Sequence, residues 1–276
     1  TILRNFIDAG GTLIDASPAY AGGRAEGILG TLLSREVSRT DLVISSAAGV
    51  DPTLPLGRRV DCSRRHLIAS LDTDYLDLWS VGFWDGKTPP EEVADTLDYA
   101  VRTGRVRYTG VRGYSGWQLA VTHAAANHAA ASARPIVAAQ NEYNLLVRRA
   151  EEELLPATQH LGVGFFAGAP LAQGVLTGKY QSHIPSTSRG ANGHRNAEVQ
   201  GYLDERSLSI VDALCTAAKG LGISPATTAL VWARDRAGVT AAIVGVRHPE
   251  QWNEIIDSEK VRLPRAILDA LDDISS

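Results

Sequence analysis

The 276-residue sequence contains no methionine, only two cysteines, and no apolar run near the ~20 residues that cross a bilayer. The absence of methionine from so aliphatic a chain, together with a helix-like opening segment, leads us to infer that residues before Thr1, and some internal ones, are missing. Neither Cys62 nor Cys215 has a second cysteine or a histidine at ligand spacing, which indicates inert thiols in a cytoplasmic protein without a metal site. The net charge of −4 argues against a nucleic-acid partner.

Short apolar segments alternate with helical ones along the chain. Each of seven predicted strands is followed by a helix, the strands being TLIDAS, DLVISSAAG, YLDLWSVGFWD, VRYTGVRG, PIVAAQNEY, VGFFAGAPLA and VTAAIVGVR. Apolar strands that alternate with helices indicate a parallel sheet covered by helices. With one further strand upstream, they predict a single (β/α)8 TIM-barrel domain over residues 1–276. A polar stretch from about Gln181 to Asp204 interrupts the pattern, and the last helix, PEQWNEIIDS, precedes a short tail.

An open, doubly wound parallel sheet is the alternative architecture. It predicts a GxGxxG phosphate loop after the first strand. The Gly22-Gly23 pair at that place does not match the pattern, so the barrel is favoured.

In a barrel, functional side chains gather where the strands end. Those positions hold a carboxylate and a phenol, Asp15 and Tyr20, then Arg112, a polar cluster at residues 140–143, and Arg247. Such a face suits a polar ligand that has an anionic part.

Six segments resemble successive signature blocks of the aldo-keto reductase superfamily. They are FIDAGGTLIDASPAYAGGRAEGILGTLL, TDYLDLWSV, RYTGVRGYSGWQL, QNEYNLL, PLAQGVLTGKY and IVGVRHPEQWNEI, and they follow the family's order over nearly the whole sequence. The resemblance implies a (β/α)8 barrel whose N-terminal hairpin and first strand precede Thr1. It also implies NADP(H) lying across the C-terminal face and a small-molecule aldehyde or ketone as substrate. A homo-oligomer is a further expectation.

The family's catalytic set is Asp, Tyr, Lys and His. By resemblance, Tyr20 is the general acid and Asp15 organises its surroundings, whereas Ala47 stands at the lysine position and Gly82 at the histidine position. A phenol with a pKa of about 10 needs a nearby cation to stabilise the developing tyrosinate. A unit charge at ~4 Å contributes roughly 4 kcal/mol at an effective dielectric near 20, or about three orders of magnitude in rate. Reduction by the ordinary mechanism is therefore predicted to be severely slowed.

The resemblance also implies the cofactor-binding residues. Arg112 stands, with Gly113, where the family places the Ser and Asn that hold the nicotinamide carboxamide, and Gln140 matches the remaining carboxamide partner. The pyrophosphate loop and the adenosine end supply the others, which are Gln173, Gly174, Leu176, Lys179, Gly245, Arg247 and Gln251. By resemblance, the residues that bind the phosphates of the cofactor are thus retained, whereas those expected around the nicotinamide and the substrate carbonyl are replaced.

Simpler structural explanations stay open for several of these residues. Asp15 and Tyr20 also fit a strand-end carboxylate beside a half-buried phenol, and Arg112 fits a strand-end arginine paired with a neighbouring acid. Two histidines, His123 and His128, lie on an alanine-rich helix and are predicted to be at the surface.

Three hypotheses for function follow. The first is an NADPH-dependent oxidoreductase of the aldo-keto reductase type. The second is a nucleotide-binding sensor or structural subunit without reductase turnover, and the third is redirected chemistry in the same pocket, such as a tailoring step on a natural product. The small residues at positions 47 and 82 favour the second and third. His183 and His194, in the polar stretch, are weaker candidates for a replacement proton donor.

Overall fold

A computed structural model describes residues 2–17, 20, 24–48, 73–84, 86–129, 136–191, 193 and 196–276. Some sequence-based predictions lie outside these residues, namely a helix near residues 61–71, Cys62, His194 and the Gly22-Gly23 pair.

Seven strands and ten α-helices lie in the described residues. The strands are β1 (Leu13–Asp15), β2 (Val43–Ala48), β3 (Leu76–Gly82), β4 (Val106–Arg112), β5 (Ile136–Glu142), β6 (Gly164–Gly168) and β7 (Val239–Ile243). The helices are α1 (Ile2–Asp8), α2 (Arg24–Arg35), α3 (Pro90–Arg102), α4 (Gly116–Ala129), α5 (Leu154–Leu161), α6 (Asn196–Gln200), α7 (Glu205–Leu221), α8 (Pro225–Arg234), α9 (Pro249–Ser258) and α10 (Arg265–Ser275). They group into two compact units, one of residues 1–140 and 153–164 and the other of residues 141–152 and 165–276.

In the first unit, every strand from β1 to β5 is parallel to the next. The strands β2 and β3 are largely buried, as expected of strands covered on both faces. Helix α3 shows why the connecting segments are helical. Pro90 occupies its first turn with two glutamates, Arg102 its last turn, and Gly104 follows with a φ of +73° that ends it.

In the second unit, β6 and β7 are parallel, and Phe166 pairs with Ala241. Helices α7 and α8 begin at side-chain caps, Asp204 and Ser224, and α7 ends at Gly222 in the left-handed conformation. The fully buried Trp232 of α8 stacks on the equally buried Tyr143 at a ring separation of 5.5 Å.

The repeated order of parallel strand and helix is that of the α/β class and of the (β/α)8 TIM barrel. The predicted fold class is therefore confirmed, with seven strands in the described part of the chain. The assignment of residues 1–276 to a single domain stays a prediction.

Two details of the sequence-based predictions are wrong. The expected tail contains helix α10, which begins after Pro264 and places Ile267, Leu268 and Leu271 at helical spacing, with Leu271 buried. His123 is buried on α4, which packs with both α3 and α5. His128 is exposed as predicted.

Candidate active site and cofactor pocket

Asp15 is the last residue of β1, and its side chain is 3% exposed. Its Oδ1 accepts hydrogen bonds from Ser45 Oγ at 3.0 Å and from a terminal guanidinium nitrogen of Arg112 at 2.6 Å. Its Oδ2 accepts a hydrogen bond from the Tyr20 hydroxyl at 2.9 Å. Asp15 therefore joins three donors from different segments at the end of the parallel strands.

The Tyr20 phenol is held in its protonated form. Burial of the hydroxyl and the Asp15 carboxylate raise the pKa of Tyr20 to about 12, against the opposing charge and hydrogen bonding of Arg112. Tyr20 as a whole is 40% exposed, and its hydroxyl is hydrogen-bonded to Asp15. Asp15 thus raises the pKa of Tyr20, whereas Arg112 lowers it.

Arg112 is the last residue of β4, and the strands on either side fix its position. It pairs in register with Gly82 of β3 and with Gln140 of β5, and its carbonyl accepts a hydrogen bond from Phe83 N at 2.7 Å. Gly113 follows with a φ of +70°, and a Cβ there would lie 2.8 Å from the Phe83 ring. The tight turn after β4 therefore requires glycine, and Arg112 is anchored just before it.

Ala47 and Gly82, at the positions predicted to be replaced, lie near the ends of β2 and β3. Ala47 is two residues beyond Ser45, so its methyl group is on the face of β2 that carries the hydroxyl bonded to Asp15. Neighbouring Ser46 is on the opposite face, where its Oγ donates to the buried Glu26 of α2. Gly82 is buried and is followed by Phe83, which has an unusual φ of +58° for a non-glycine residue.

Gln140 is close to Arg112 in the first unit. It is 7% exposed near the end of β5, and its carbonyl accepts a hydrogen bond from Gly113 N at 3.0 Å. The structure thus brings together Asp15, Tyr20, Arg112 and Gln140, although no contact tests the cofactor role of Gln140 or Arg112.

The second unit contains a separate pocket, formed after β6 and β7 and by the first turns of α9. It contains six of the predicted cofactor residues, which are Gln173, Gly174, Lys179, Gly245, Arg247 and Gln251. Leu176 is fully buried in the core beside it, and its side chain does not line the pocket.

Backbone strain is concentrated beside this pocket. Ala169, Ala172 and Gln173 all have positive φ angles between 46° and 57°, a conformation that costs a non-glycine residue roughly 1–2 kcal/mol. Gly174 has a φ of +95°, and a Cβ there would lie 2.7 Å from Lys179 Nζ. Strain of this kind is typical of ligand-binding turns.

Three cations, Lys179, Arg189 and Arg247, meet at this pocket. Burial lowers the pKa of Lys179, and the positive charges of Arg247 and Arg189 lower it further, while Tyr180 opposes them. Glu254 also lines the pocket. Mutual repulsion among three cations is relieved by an anion, so the pocket suits a phosphate group.

Gln251 has a structural role besides its place in the pocket wall. Its Oε1 accepts backbone hydrogen bonds from Arg247 N at 2.8 Å and His248 N at 3.3 Å, as part of the capping box that starts α9. Gln251 therefore holds the backbone of Arg247 in place just before α9.

Two residues of these sites, Ser45 and Arg189, have no role predicted from the sequence. Ser45 could have been found, because a hydroxyl at the end of the strand next to Asp15 is a natural partner for the carboxylate. Arg189 carries no local signal, since it lies in the polar stretch and reaches the pocket only through the tertiary fold.

Within the described ranges, no group of three or more His, Cys, Asp or Glu side chains could hold a metal ion. No helix in the same residues has both the length and the apolar character needed to cross a membrane. His183 is exposed and contacts Ser182.

The aldo/keto reductase family model matches residues 1–276. The chain is 30% identical over 288 residues to the uncharacterized oxidoreductase YrpG of Bacillus subtilis (strain 168), covering 99% of this chain and 85% of that protein. It is 35% identical over 274 residues to the L-glyceraldehyde 3-phosphate reductase of Escherichia coli (strain K12), covering 93% and 77% of the two chains. It is also 33% identical over 266 residues to a probable voltage-gated potassium channel subunit beta of Arabidopsis thaliana, covering 92% and 79%.

Proposed function

Because the chain belongs to the aldo/keto reductase family, we propose that it is an NADP(H)-dependent oxidoreductase that reduces a small aldehyde or ketone. The observation that carries the proposal is the Tyr20 hydroxyl hydrogen-bonded to Asp15 at the end of β1. A protonated phenol at a strand end is a group that can give a proton to a carbonyl oxygen.

The pocket of the second unit fits the cofactor. Lys179, Arg189 and Arg247 supply positive charge for phosphate, and Gly174 lets the backbone pass close to Lys179. The cations support NADP(H) over NAD(H), because a 2′-phosphate adds about −1.5 to −2 charge at neutral pH. Gln140 is proposed for the carboxamide side, and Leu176 and Gly245 for backbone contacts. When bound, the reduced nicotinamide supplies the hydride that the carbonyl carbon accepts.

Tyr20 supplies the proton for the carbonyl oxygen. In the structure its O–H donates to Asp15, so an incoming carbonyl oxygen has to take over that hydrogen bond. Asp15 then keeps the two donors on its other oxygen, Ser45 and Arg112, and its charge stays balanced. Since burial and the Asp15 carboxylate raise the pKa of Tyr20 to about 12, the phenol stays protonated across the neutral range, and release of its proton requires a cation close to the hydroxyl.

The replacement of Lys and His by Ala47 and Gly82 remains a prediction from resemblance. It supports a specialised or slow reductase rather than a general one. The 35% identity to a protein named L-glyceraldehyde 3-phosphate reductase supports the inclusion of phosphorylated aldehydes among the substrates tested.

The test combines NADPH binding with turnover. NADPH binding is measured by fluorescence titration, and turnover is screened with plain and phosphorylated aldehydes. We expect Tyr20→Phe to lower kcat about 100-fold or more, with the NADPH dissociation constant unchanged. Tyr108→Phe, at an exposed tyrosine of β4, is the matched control and should behave as the wild type.

Unchanged turnover in Tyr20→Phe would exclude Tyr20 as the acid. NADPH binding by a wild-type protein that turns over none of these carbonyls would favour the nucleotide-sensor hypothesis instead.

A further inference from the structure

Arg112 forms an enclosed ion pair with Asp15. The two side chains are 13% and 3% exposed, and the nitrogen–oxygen distance is 2.6 Å. The partners are 97 residues apart in the sequence, so the contact exists only in the folded protein. A pair this enclosed is costly to form unless its remaining polar atoms are also satisfied.

The remaining atoms point to a role beyond pairing. The Nε of Arg112 is buried and has no hydrogen-bond partner among the described residues. Through Asp15, Arg112 is linked to the Tyr20 hydroxyl, and the charge and hydrogen bonding of Arg112 act to lower the pKa of that hydroxyl. A guanidinium has five N–H donors, so it can hold Asp15 and still stabilise a second oxygen.

On the neighbouring strands β2 and β3, the two positions near this ion pair, 47 and 82, carry no charged side chain. Ala47 lies on the same face of β2 as Ser45, and Gly82 lies beside Arg112 in register. In the part of the chain that the structure describes, the guanidinium that pairs with Asp15 is that of Arg112 on β4.

We propose that Arg112 is the cation that makes Tyr20 an effective proton donor, rather than a ligand of the nicotinamide. The guanidinium holds Asp15 in place and stabilises the negative charge that develops on Tyr20 Oη as its proton passes to the carbonyl oxygen. This inference rests on the proposed reductase function and deepens it. It assigns to Arg112 of β4 the positive charge that the family's lysine would supply at position 47.

The first test separates a role at Tyr20 from a role in cofactor binding. Arg112→Gln should lower kcat about 100-fold or more, while the NADPH dissociation constant stays within about twofold of the wild type. Arg107→Gln is the matched control, because it removes another Arg–Asp pair of β4, with Asp77, at the other end of the strand. It should leave kcat unchanged.

Two further variants keep the test decisive if Arg112→Gln does not fold with a buried, unpaired Asp15. Arg112→Lys keeps the charge but can titrate, so its kcat should fall in the alkaline range, where the ammonium loses its proton and a guanidinium does not. In the double variant Arg112→Gln/Ala47→Lys, the new ammonium lies on the face of β2 that carries Ser45. Its kcat should be at least tenfold higher than that of Arg112→Gln.

The failures are distinguishable. A wild type without carbonyl turnover would sink the proposed function itself. With an active wild type, the inference is overturned if Arg112→Gln weakens NADPH binding and leaves kcat at saturation unchanged. It is equally overturned if the pH profile of Arg112→Lys overlays that of the wild type.

Discussion

At the residue scale, both candidate sites consist of charges that the fold forces together. Asp15 collects Tyr20, Ser45 and Arg112 at one strand end, and in the other unit Lys179 lies among positive neighbours. Clusters of interacting charges of this kind are typical of functional sites. Burial and the Asp15 carboxylate raise the pKa of Tyr20, and burial and the neighbouring positive charges lower the pKa of Lys179.

Lys179 provides the residue-scale prediction. Lys179→Met removes one charge-assisted contact to a phosphate, so the NADPH dissociation constant should rise about tenfold. Because burial and nearby arginines lower the pKa of Lys179, wild-type affinity should fall with rising pH below the ordinary lysine range, and the variant should lose that dependence. Fluorescence titration at several pH values measures both effects.

Lys219→Met, at an exposed lysine of α7, is the control and should bind NADPH as the wild type does. Equal affinity of the two variants would mean that Lys179 does not contact the cofactor.

At the element scale, local sequence rules predict most of the fold. Strands read as short apolar runs, and helices begin at caps and prolines and end at glycines such as Gly104 and Gly222. The polar stretch and the tail were harder to interpret. Helix α6 has five residues, too few for a periodic pattern, and α10 lies where a tail is expected, although its apolar spacing is helical.

The cap of α8 gives the element-scale prediction. Ser224 Oγ accepts a hydrogen bond from Thr227 N at 3.0 Å, ahead of Pro225 at the first helical position. Ser224→Ala should therefore lower the free energy of unfolding by about 1 kcal/mol. Ser224→Asp keeps a side-chain oxygen that can accept this hydrogen bond, so it should retain most of the stability that Ser224→Ala loses. Urea unfolding with an unchanged m-value measures the difference, and an equal loss in both variants would show that the cap is not the cause.

At the scale of the whole molecule, the described residues form two compact units, each with its own buried residues. In the second unit, a cluster of charges joins distant parts of the chain. Arg236 lies 2.5 Å from Asp272 of α10 and 3.4 Å from Glu151, while Arg148 lies 2.8 Å from Glu151. Both arginines also lie over the Trp232 ring, at 5.4 Å from its centre. Association into a homo-oligomer and a cytoplasmic location stay predictions.

This cluster predicts acid sensitivity. Burial raises the pKa of Glu151 and of Asp272, but hydrogen bonds and charges from the arginines outweigh it and hold both below their ordinary values. A carboxylate with a lowered folded-state pKa stabilises the protein above its unfolded pKa, about 4, and loses that effect as pH falls through the folded value. The wild-type Tm should therefore fall steeply below about pH 4.

Arg236→Gln should have a lower Tm than the wild type at pH 7, and the gap should narrow toward pH 3. Arg262→Gln, at an exposed arginine 3.9 Å from Asp235, is the control and should follow the wild type. A gap that is equally wide at pH 3 and pH 7 would mean that Arg236 acts by packing on Trp232 alone.

The sequence by itself determined the alternation of strands and helices, the fold class, and which strand ends carry polar side chains, because these depend on local periodicity and on caps, prolines and glycines. Only the tertiary structure decided that Arg112 meets Asp15 across 97 residues, that Ser45 completes the carboxylate's partners, and that Arg189 joins the phosphate pocket. The physical reason is that an ion pair or a hydrogen bond acts over a few ångströms, and the separations that matter are set by strand register and loop packing rather than by spacing along the chain.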